Sequence, residues 1–340
     1  MIHASILGAT GYSGGELLRL LLSRPGIQLK HLTSESSAGR PVSSVHPHLR
    51  GLTDLRFESL NVGRISRDSD VVFSCYPHAM GIKPNAAFYK AGLKVIDLSG
   101  DFRLPSAGLY KMWYKQKHTS PQLLKKAVYG LPELFRSQIR KASLISNPGC
   151  YATAAALSAA PLLKPLRIDP ASLIVDAKSG VSGAGKKITS MYMFSELDEN
   201  LQAYSVASHR HQPEIEQTLR RFGGVSARVL FSPHLVPMNR GILSVLYASL
   251  KKPLSTSQIR SLFLSFYEKE PFVRILPEGE LPQTKNVSYT NYCDIGITQD
   301  KRTRRVIVIA AIDNLVKGAA GQAIQNMNIL FNRPETEGLQ

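Results

Sequence analysis

Two short stretches of this 340-residue chain carry residues of the types and spacing that covalent chemistry requires. Asn147-Pro148-Gly149-Cys150-Tyr151-Ala152-Thr153-Ala154 sets a cysteine directly after a Pro-Gly turn and at the start of an Ala-rich helical pattern. A thiol in the first turn of a helix lies at the positive end of the dipole, which favours thiolate, the nucleophilic form. Cys75 and Cys293 have strand-like neighbours and read as small buried apolar residues. A cysteine nucleophile needs a base or a cation within reach. Ser208-His209-Arg210-His211-Gln212-Pro213-Glu214 offers two imidazoles just ahead of a helix start marked by Pro213 and the acids that follow. Either His209 or His211 could serve, and a surface pair without a role is the plain alternative. Spacing of two also suits a metal pair, but Arg210 stands between the rings and no third ligand lies at ligand spacing, so no metal is expected.

A second chemistry is written in Gly8-Ala9-Thr10-Gly11-Tyr12-Ser13-Gly14, a GxxGxxG turn that follows an apolar run and opens a helical one. The first glycine permits a tight turn, the next lets backbone approach a pyrophosphate, and the helix N-terminus turns unpaired N–H groups to the anion. A plain strand-to-helix turn is the alternative, and its place in the first βα turn argues against that. After the second strand, Ser34 and Arg40 would accommodate a ribose 2′-phosphate, whereas Glu35 would favour a free 2′-hydroxyl, so the choice stays open. Ser179-Gly180-Val181-Ser182-Gly183-Ala184-Gly185 is a second glycine-rich turn, suited to a cofactor or phosphate but by itself only a flexible loop. Arg103 and Arg240 follow or precede apolar strands; pointed into a cleft, their forked donors would clamp carboxylate or phosphate.

The elements that must position these groups follow from the apolar pattern. Short apolar runs at 2–7, 27–33, 71–75 and 95–98 alternate with helical patterns at 16–22 and 86–91, the rhythm of βαβ units. Runs such as Val71-Val72-Phe73 are continuous rather than alternating, as in parallel strands buried on both faces. Beyond residue 150 longer strands are expected at 173–177, 225–231, 242–250 and 306–312, with helices at 152–163, 213–221 and 257–267. A second domain with a mixed sheet is the economical reading, and a last amphipathic helix over 315–330 could pack on either domain. The fold class is α/β: a doubly wound domain over 1–149 and a second domain over 150–313.

Taken together, the motifs resemble a known family, the N-acetyl-gamma-glutamyl-phosphate reductases. GATGYSG at 8–14, DLSGDFR at 97–103, YGLPE at 129–133, NPGCYAT at 147–153, SGVSGAG at 179–185, HRHQPEIEQ at 209–217, PHLVPMNRGI at 233–242 and DNLVKGAAGQA at 313–323 span the chain in the family's order. The resemblance implies a Rossmann domain for NADP(H) over 1–149, to which the C-terminal helix 314–340 returns, and a semialdehyde dehydrogenase-like catalytic and dimerisation domain over 150–313. It implies attack by Cys150 on an acyl phosphate, with His211 or His209 as acid–base partner. By the same analogy, Gly8, Thr10, Gly11, Tyr12, Ser13, Gly14, Ser34, Arg40, Pro77, Ser179, Gly180, Gly183 and Asn314 bind the cofactor, with Asn314 at the nicotinamide and Pro77 beside it. Arg103, Asn147 and Arg240 bind the substrate. A homodimer or homotetramer is expected from the family.

Composition sets bounds on partners. The chain is 43% hydrophobic and carries +17 at neutral pH, with 20 basic and 9 acidic side chains in residues 1–150 against 22 and 16 in the rest. Such an excess suits anionic ligands, nucleic acid or an acidic protein. A nucleic-acid binder would explain the charge but neither the cysteine turn nor the glycine turn, so no nucleic acid is expected. A sister family that reduces substrates joined to an acidic carrier protein, in lysine or arginine biosynthesis, is the closer alternative. Three scattered cysteines without a CxxC pair suit a reducing compartment, no export signal is visible, and no membrane partner is expected, so the chain reads as cytoplasmic.

Overall fold

The computed structural model describes residues 1–163, 166–186 and 188–339. They divide into two compact units, one formed by Met1–Pro148 with the residues from Ala319 onward, the other by Gly149–Gly318.

The first unit runs β1 (Ile2–Leu7), α1 (Tyr12–Leu22), β2 (Ile27–Leu32), α2 (Val62–Asp68), β3 (Val71–Ser74), α3 (Ile82–Lys90), β4 (Lys94–Asp97) and α4 (Ala107–Tyr114). It continues with α5 (Pro121–Leu124), β5 (Val128–Tyr129), α6 (Pro132–Ile139) and β6 (Leu144–Ser146). All six strands are parallel, in the order β2-β1-β3-β4-β6-β5. Helices cover both faces, so β3 is buried at every residue and its sequence shows no alternation. The chain leaves β1 for β2 on one side and returns to β3 on the other. That switch opens a crevice beyond the carboxyl ends of β1 and β3, where doubly wound sheets bind ligands. The helices begin earlier than the apolar pattern suggests, at Tyr12 and Ile82, because their first turns are polar or glycine-containing.

The last helix, Gly321–Leu330, completes this unit and is buried at every residue rather than amphipathic. Two of its amides find partners within the unit: Asn326 Nδ2 donates to the Gly130 carbonyl at 2.8 Å and to Asn147 Oδ1 at 3.0 Å, and Asn328 Oδ1 accepts from Arg24 at 2.9 Å. A helix over 314–340 is not what forms. The segment opens with a π-turn, Val316–Ala320, and its helix stops at Leu330, with Asn332 left-handed and Pro334 beyond it; Gln340 lies outside the described residues.

The second unit runs α7 (Cys150–Leu163), β7 (Leu173–Ser179), α8 (Phe194–Leu197), β8 (Gln202–Ala203), α9 (His211–Gly223), β9 (Val229–Leu235) and β10 (Ile242–Ser249). α10 (Thr256–Tyr267), β11 (Val273–Ile275), β12 (Cys293–Asp300) and β13 (Arg305–Ile312) complete it. Its seven strands form a mixed sheet, β11-β12-β13-β10-β7-β9-β8. Helix α7 is buried from Tyr151 to its end, and its alanines let it lie close on β10 and β13. The strand expected over 225–231 begins four residues later, at Val229. Gly224, left-handed at φ +70°, ends α9, and the chain needs the next residues to turn into the sheet.

Candidate active site

Cys150 is the first residue of α7, half-buried, at the helix end where free N–H groups favour negative charge. The turn before it is held from outside the helix. Glu214, in the first turn of α9 and fully buried, accepts the Gly149 N–H at 2.7 Å through Oε1. Its other oxygen lies 4.0 Å from Nε2 of His211, the first residue of that helix. One carboxylate thus joins the backbone preceding the thiol to an imidazole 62 positions further along the chain. The π-turn closes another side: a Cβ on Gly318 would stand 2.7 Å from Cys150 Cβ, so only glycine admits this approach.

The two histidines of the HRH motif have different environments. His209 is enclosed by rings, with centroids of Tyr151, Tyr204, Phe231 and His211 at 5.7, 5.6, 5.3 and 4.7 Å. Burial, with the nearby Arg210 charge, pushes its pKa down to about 3. It is therefore neutral, and its Nδ1 accepts the His211 N–H at 3.1 Å, which puts the ring proton on Nε2. His209 supports the start of α9; His211 is the ring beside the buried carboxylate. The Tyr204 hydroxyl donates to that of Tyr151 at 3.1 Å, and Tyr151 donates to the His234 carbonyl at 3.3 Å. Burial raises both phenols, so they stay protonated.

A second buried carboxylate gathers the remaining motifs of this unit. Asp313 follows β13 and accepts the N–H groups of Leu315 and Val316 at Oδ1, at 2.8 and 3.1 Å. At Oδ2 it takes the Tyr289 N–H at 2.7 Å and Arg240 at 3.1 Å, and the Arg240 guanidinium lies 4.3 Å over the Tyr289 ring. Next to it, Asn314 accepts the Gly241 N–H at 2.7 Å and donates to Ser182 at 2.9 Å. Ser179 bonds to the Gly180 carbonyl at 2.9 Å, and Gly183 comes within 3.6 Å of the Asn314 amide measured from a Cβ position. At Gly180 a side chain would meet the Arg240 backbone at 2.8 Å, so this glycine serves a backbone crossing.

In the first unit the GxxGxxG turn has the shape of an anion cradle. Gly8 is left-handed at φ +68°, and its N–H donates to Thr33 Oγ1 at 3.2 Å. Gly14 packs on Ala9, whose Cα would be 2.7 Å from a Cβ there. Gly11 is open: nothing lies within 4 Å of the Cβ position, and no side chain caps the helix, which begins with Tyr12 and Ser13 just after Thr10 and Gly11. The turn therefore fits a dinucleotide pyrophosphate. Glu35, the residue that left the 2′ position undecided, spends its carboxylate on the Leu60 N–H at 2.9 Å, while Ser34 is buried and Arg40 exposed nearby in sequence. Pro77 is exposed in the loop after β3.

Arg103 and Asn147 are placed differently from exposed ligand-binding groups. Arg103 is buried and donates to the carbonyls of Asn147 and Leu98, both at 2.9 Å. Asn147 is fully buried, its amide donating to Ala319 at 3.0 Å and accepting from Asn326. Sequence reasoning missed Glu214 and Asp313 as organisers. An acid three residues after a candidate catalytic histidine, on the same helical face, was the available signal for the first; none marked the second.

Two family models match this chain, a semialdehyde dehydrogenase NAD-binding domain over residues 3–142 and a semialdehyde dehydrogenase dimerisation domain over 150–314. N-acetyl-gamma-glutamyl-phosphate reductases of Pelotomaculum thermopropionicum and Geobacter sp. are each 52% identical to it. The matches cover 99% and 100% of this chain and 97% and 98% of theirs. Among solved structures, aspartate semialdehyde dehydrogenase II of Vibrio cholerae superposes with TM-score 0.75 at 18% identity, over 98% of this chain and 99% of its own. The Candida albicans enzyme with NADP gives 0.72 at 16%, over 97% and 98%.

The state of His209 has a measurable consequence. Below about pH 6.5 the unfolded chain takes up a proton that the folded ring refuses until about pH 3, so this group lowers stability as acid is added across that window and contributes no slope above it. His209→Asn, which keeps an acceptor for the His211 N–H, is expected to flatten that acid slope in urea unfolding. A wild-type His209 ring whose NMR shift titrates near 6.5 would contradict the assignment.

Proposed function

The chain belongs to the N-acetyl-gamma-glutamyl-phosphate reductases, and from that premise we propose how its residues divide the work of reducing N-acetyl-L-glutamyl 5-phosphate to the 5-semialdehyde and phosphate. The observation that carries the reading is the Glu214 carboxylate, bonded to the turn that presents Cys150 and adjacent to His211. Cys150 thiolate attacks the acyl-phosphate carbon; the new C–S bond forms as the C–O bond to phosphate breaks, leaving a thioester. NADPH, when bound, supplies the hydride that reduces this carbon to the aldehyde level. His211 takes the thiol proton at the start, returns it to the substrate oxygen as the carbon is reduced, and takes it back from that hydroxyl as the C–S bond breaks to leave the aldehyde and the Cys150 thiolate. Glu214 orients that ring and stabilises its cationic form, the part a buried carboxylate plays beside a catalytic imidazole. His209 keeps the α9 start in place.

Gly8, Thr10, Gly11, Tyr12, Ser13 and Gly14 would hold the cofactor pyrophosphate, and Ser34 with Arg40 the 2′-phosphate, since Glu35 is engaged elsewhere. Asn314 remains the candidate for the nicotinamide, Pro77 for a place beside the cofactor, and Ser179, Gly180 and Gly183 for cofactor contact. Arg240 is the candidate anion clamp, preset by Asp313 and Tyr289; Arg103 and Asn147 act by holding the backbone of the NPGC turn. The names of the relatives, about half identical over the whole chain, do not support a carrier-linked substrate. Three free cysteines and this biosynthetic reaction suit the cytoplasm, and among the described residues no helix is long and apolar enough to cross a membrane.

The second unit also offers a surface for a second copy of the chain. One sheet face is covered by α7, whereas the other carries a cross-strand band, Leu230, Ile174, Tyr247 and Ile307, paired in register and half-buried or exposed. This unit matches a dimerisation domain, and such a band is what a subunit interface would bury.

Two experiments test these assignments. In the phosphate-dependent reverse assay, Cys150→Ser is expected to lower kcat by a factor on the order of 10³ or more. Glu214→Gln should lower it about tenfold to a hundredfold with little change in KM for the semialdehyde. Full activity in the serine variant would sink the covalent route, and activity only with carrier-joined substrate would favour the sister reaction. For the interface, Ile307→Asp should shift sedimentation from oligomer to monomer; a variant that sediments as wild-type oligomer removes this face from consideration.

A further inference from the structure

Beneath the dinucleotide crevice lies a cluster of buried polar groups that the reaction above does not use. Asp97 ends β4 and Asp101 follows four residues later, both fully buried. Asp97 accepts from Asn85 Nδ2 at 3.1 Å and from the Ser99 hydroxyl at 2.8 Å. Asp101 reaches across to the next loop: its Oδ1 accepts the Ala79 N–H at 2.7 Å and the Tyr110 hydroxyl at 2.8 Å. The other Asp101 oxygen has no hydrogen-bond partner among the described residues. It lies 3.3 Å from the Cβ position of Gly81, on which Ser74 Oγ and Asn85 Nδ2 also converge at 3.2 Å.

Ala79 has φ +69°, the left-handed region that an L side chain enters only at a cost and keeps only where its surroundings enforce it. The enforcing contacts are visible. Asp101 holds the Ala79 N–H, and His78 Nδ1 accepts the Gly100 N–H at 2.9 Å, so loop 75–81 is fastened to loop 98–103 by two bonds running in opposite directions. The same loop forms one side of the crevice. The Cys75 carbonyl lies 3.1 Å from the Cβ position of Gly8, and the Tyr76 hydroxyl is 3.3 Å from Thr33 Oγ1, which itself holds the Gly8 N–H.

We propose that Asp101 is a positioning residue for the cofactor: its buried carboxylate keeps Ala79 left-handed and thereby presets the 75–81 side of the dinucleotide crevice. A carboxylate suits the task because a charge-assisted bond to a backbone N–H is about twice as strong as a neutral one. The groups around it fit that role. Burial and the Asp101 charge push Asp97 up to about 7, with the Arg103 charge opposing, so Asp97 holds a proton to near neutrality and spares the site a second charge. Tyr110 is raised by burial and by Asp101 and stays a donor. His118 is kept neutral by burial; its Nδ1 accepts the Ser120 N–H and its Nε2 donates to the Asp101 carbonyl at 2.9 Å. Burial and the Asp97 charge raise the Cys75 thiol, so it adds no charge to the cluster.

The proposal rests on the dinucleotide reading of this unit, and direct binding separates the two. NADPH is titrated into the full-length protein, followed by calorimetry. Asp101→Ala is expected to weaken binding about tenfold or more, the loss of one charged buried hydrogen bond. Adding Ala79→Gly in that background should restore most of the affinity, because glycine takes this φ freely. A general folding defect would not be cured by that change. Asp101→Asn, isosteric and still an acceptor, should lose only a few-fold and covers the case in which the alanine variant does not fold. Unchanged affinity in the Asp101 variants, or no recovery in the double variant, overturns the positioning role while leaving the dinucleotide site intact. Wild-type protein that fails to bind NADPH overturns both.

Discussion

Removing a carboxylate from water is among the costliest things a fold can do unless hydrogen-bond donors or cations meet it, and this protein organises itself around that constraint. Glu214 has no exposure, so α7 and α9 must present their starts to it together: Gly149 N–H to one oxygen, His211 near the other. The demand for donors is what brings a cysteine turn and a histidine helix into one site. Were the acid exposed, water would satisfy it and this bond between the two helix starts would be lost.

Asp313 repeats the device at the end of β13. Four donors converge on it, three of them backbone N–H groups, and the backbone that supplies Leu315 and Val316 continues into the π-turn that carries Gly318 against Cys150. Cys150 is thus bounded by two elements, each anchored by a buried acid. Arg240 is stacked on Tyr289 and ion-paired, so its direction is set before any ligand arrives, which lowers the ordering cost of binding an anion.

In the first unit the same economy holds with different partners. Asp97 and Asp101 face backbone N–H groups, hydroxyls and Asn85, and the loops they gather border the open carboxyl ends of β1 and β3. The heavier positive balance of residues 1–150 accords with a cofactor and a substrate that both carry phosphate, since a positive field raises the encounter rate of such ligands.

Much of this was legible without coordinates. Glycines at 8, 11 and 14 between a strand and a helix, and Cys150 after Pro148-Gly149, are local devices: their placement follows from backbone stereochemistry and a helix end, which neighbouring residues in the chain decide. The parallel sheet was legible in continuous apolar runs for the same reason. Assignments that depend on partners distant in sequence were not. The sequence left His209 and His211 nearly equivalent; enclosure by Tyr151, Tyr204 and Phe231 lowers the first, and Glu214 marks the second. It offered Arg103 and Asn147 as ligand contacts; only the fold shows that both are buried and that Arg103 donates to the Asn147 carbonyl. It left Glu35 as a rival for the ribose, and only the tertiary fold directs that carboxylate to Leu60. Local patterns determine which chemistry is available; which residue performs it is decided by long-range burial, because burial sets both the charge state of a side chain and the partner it must find.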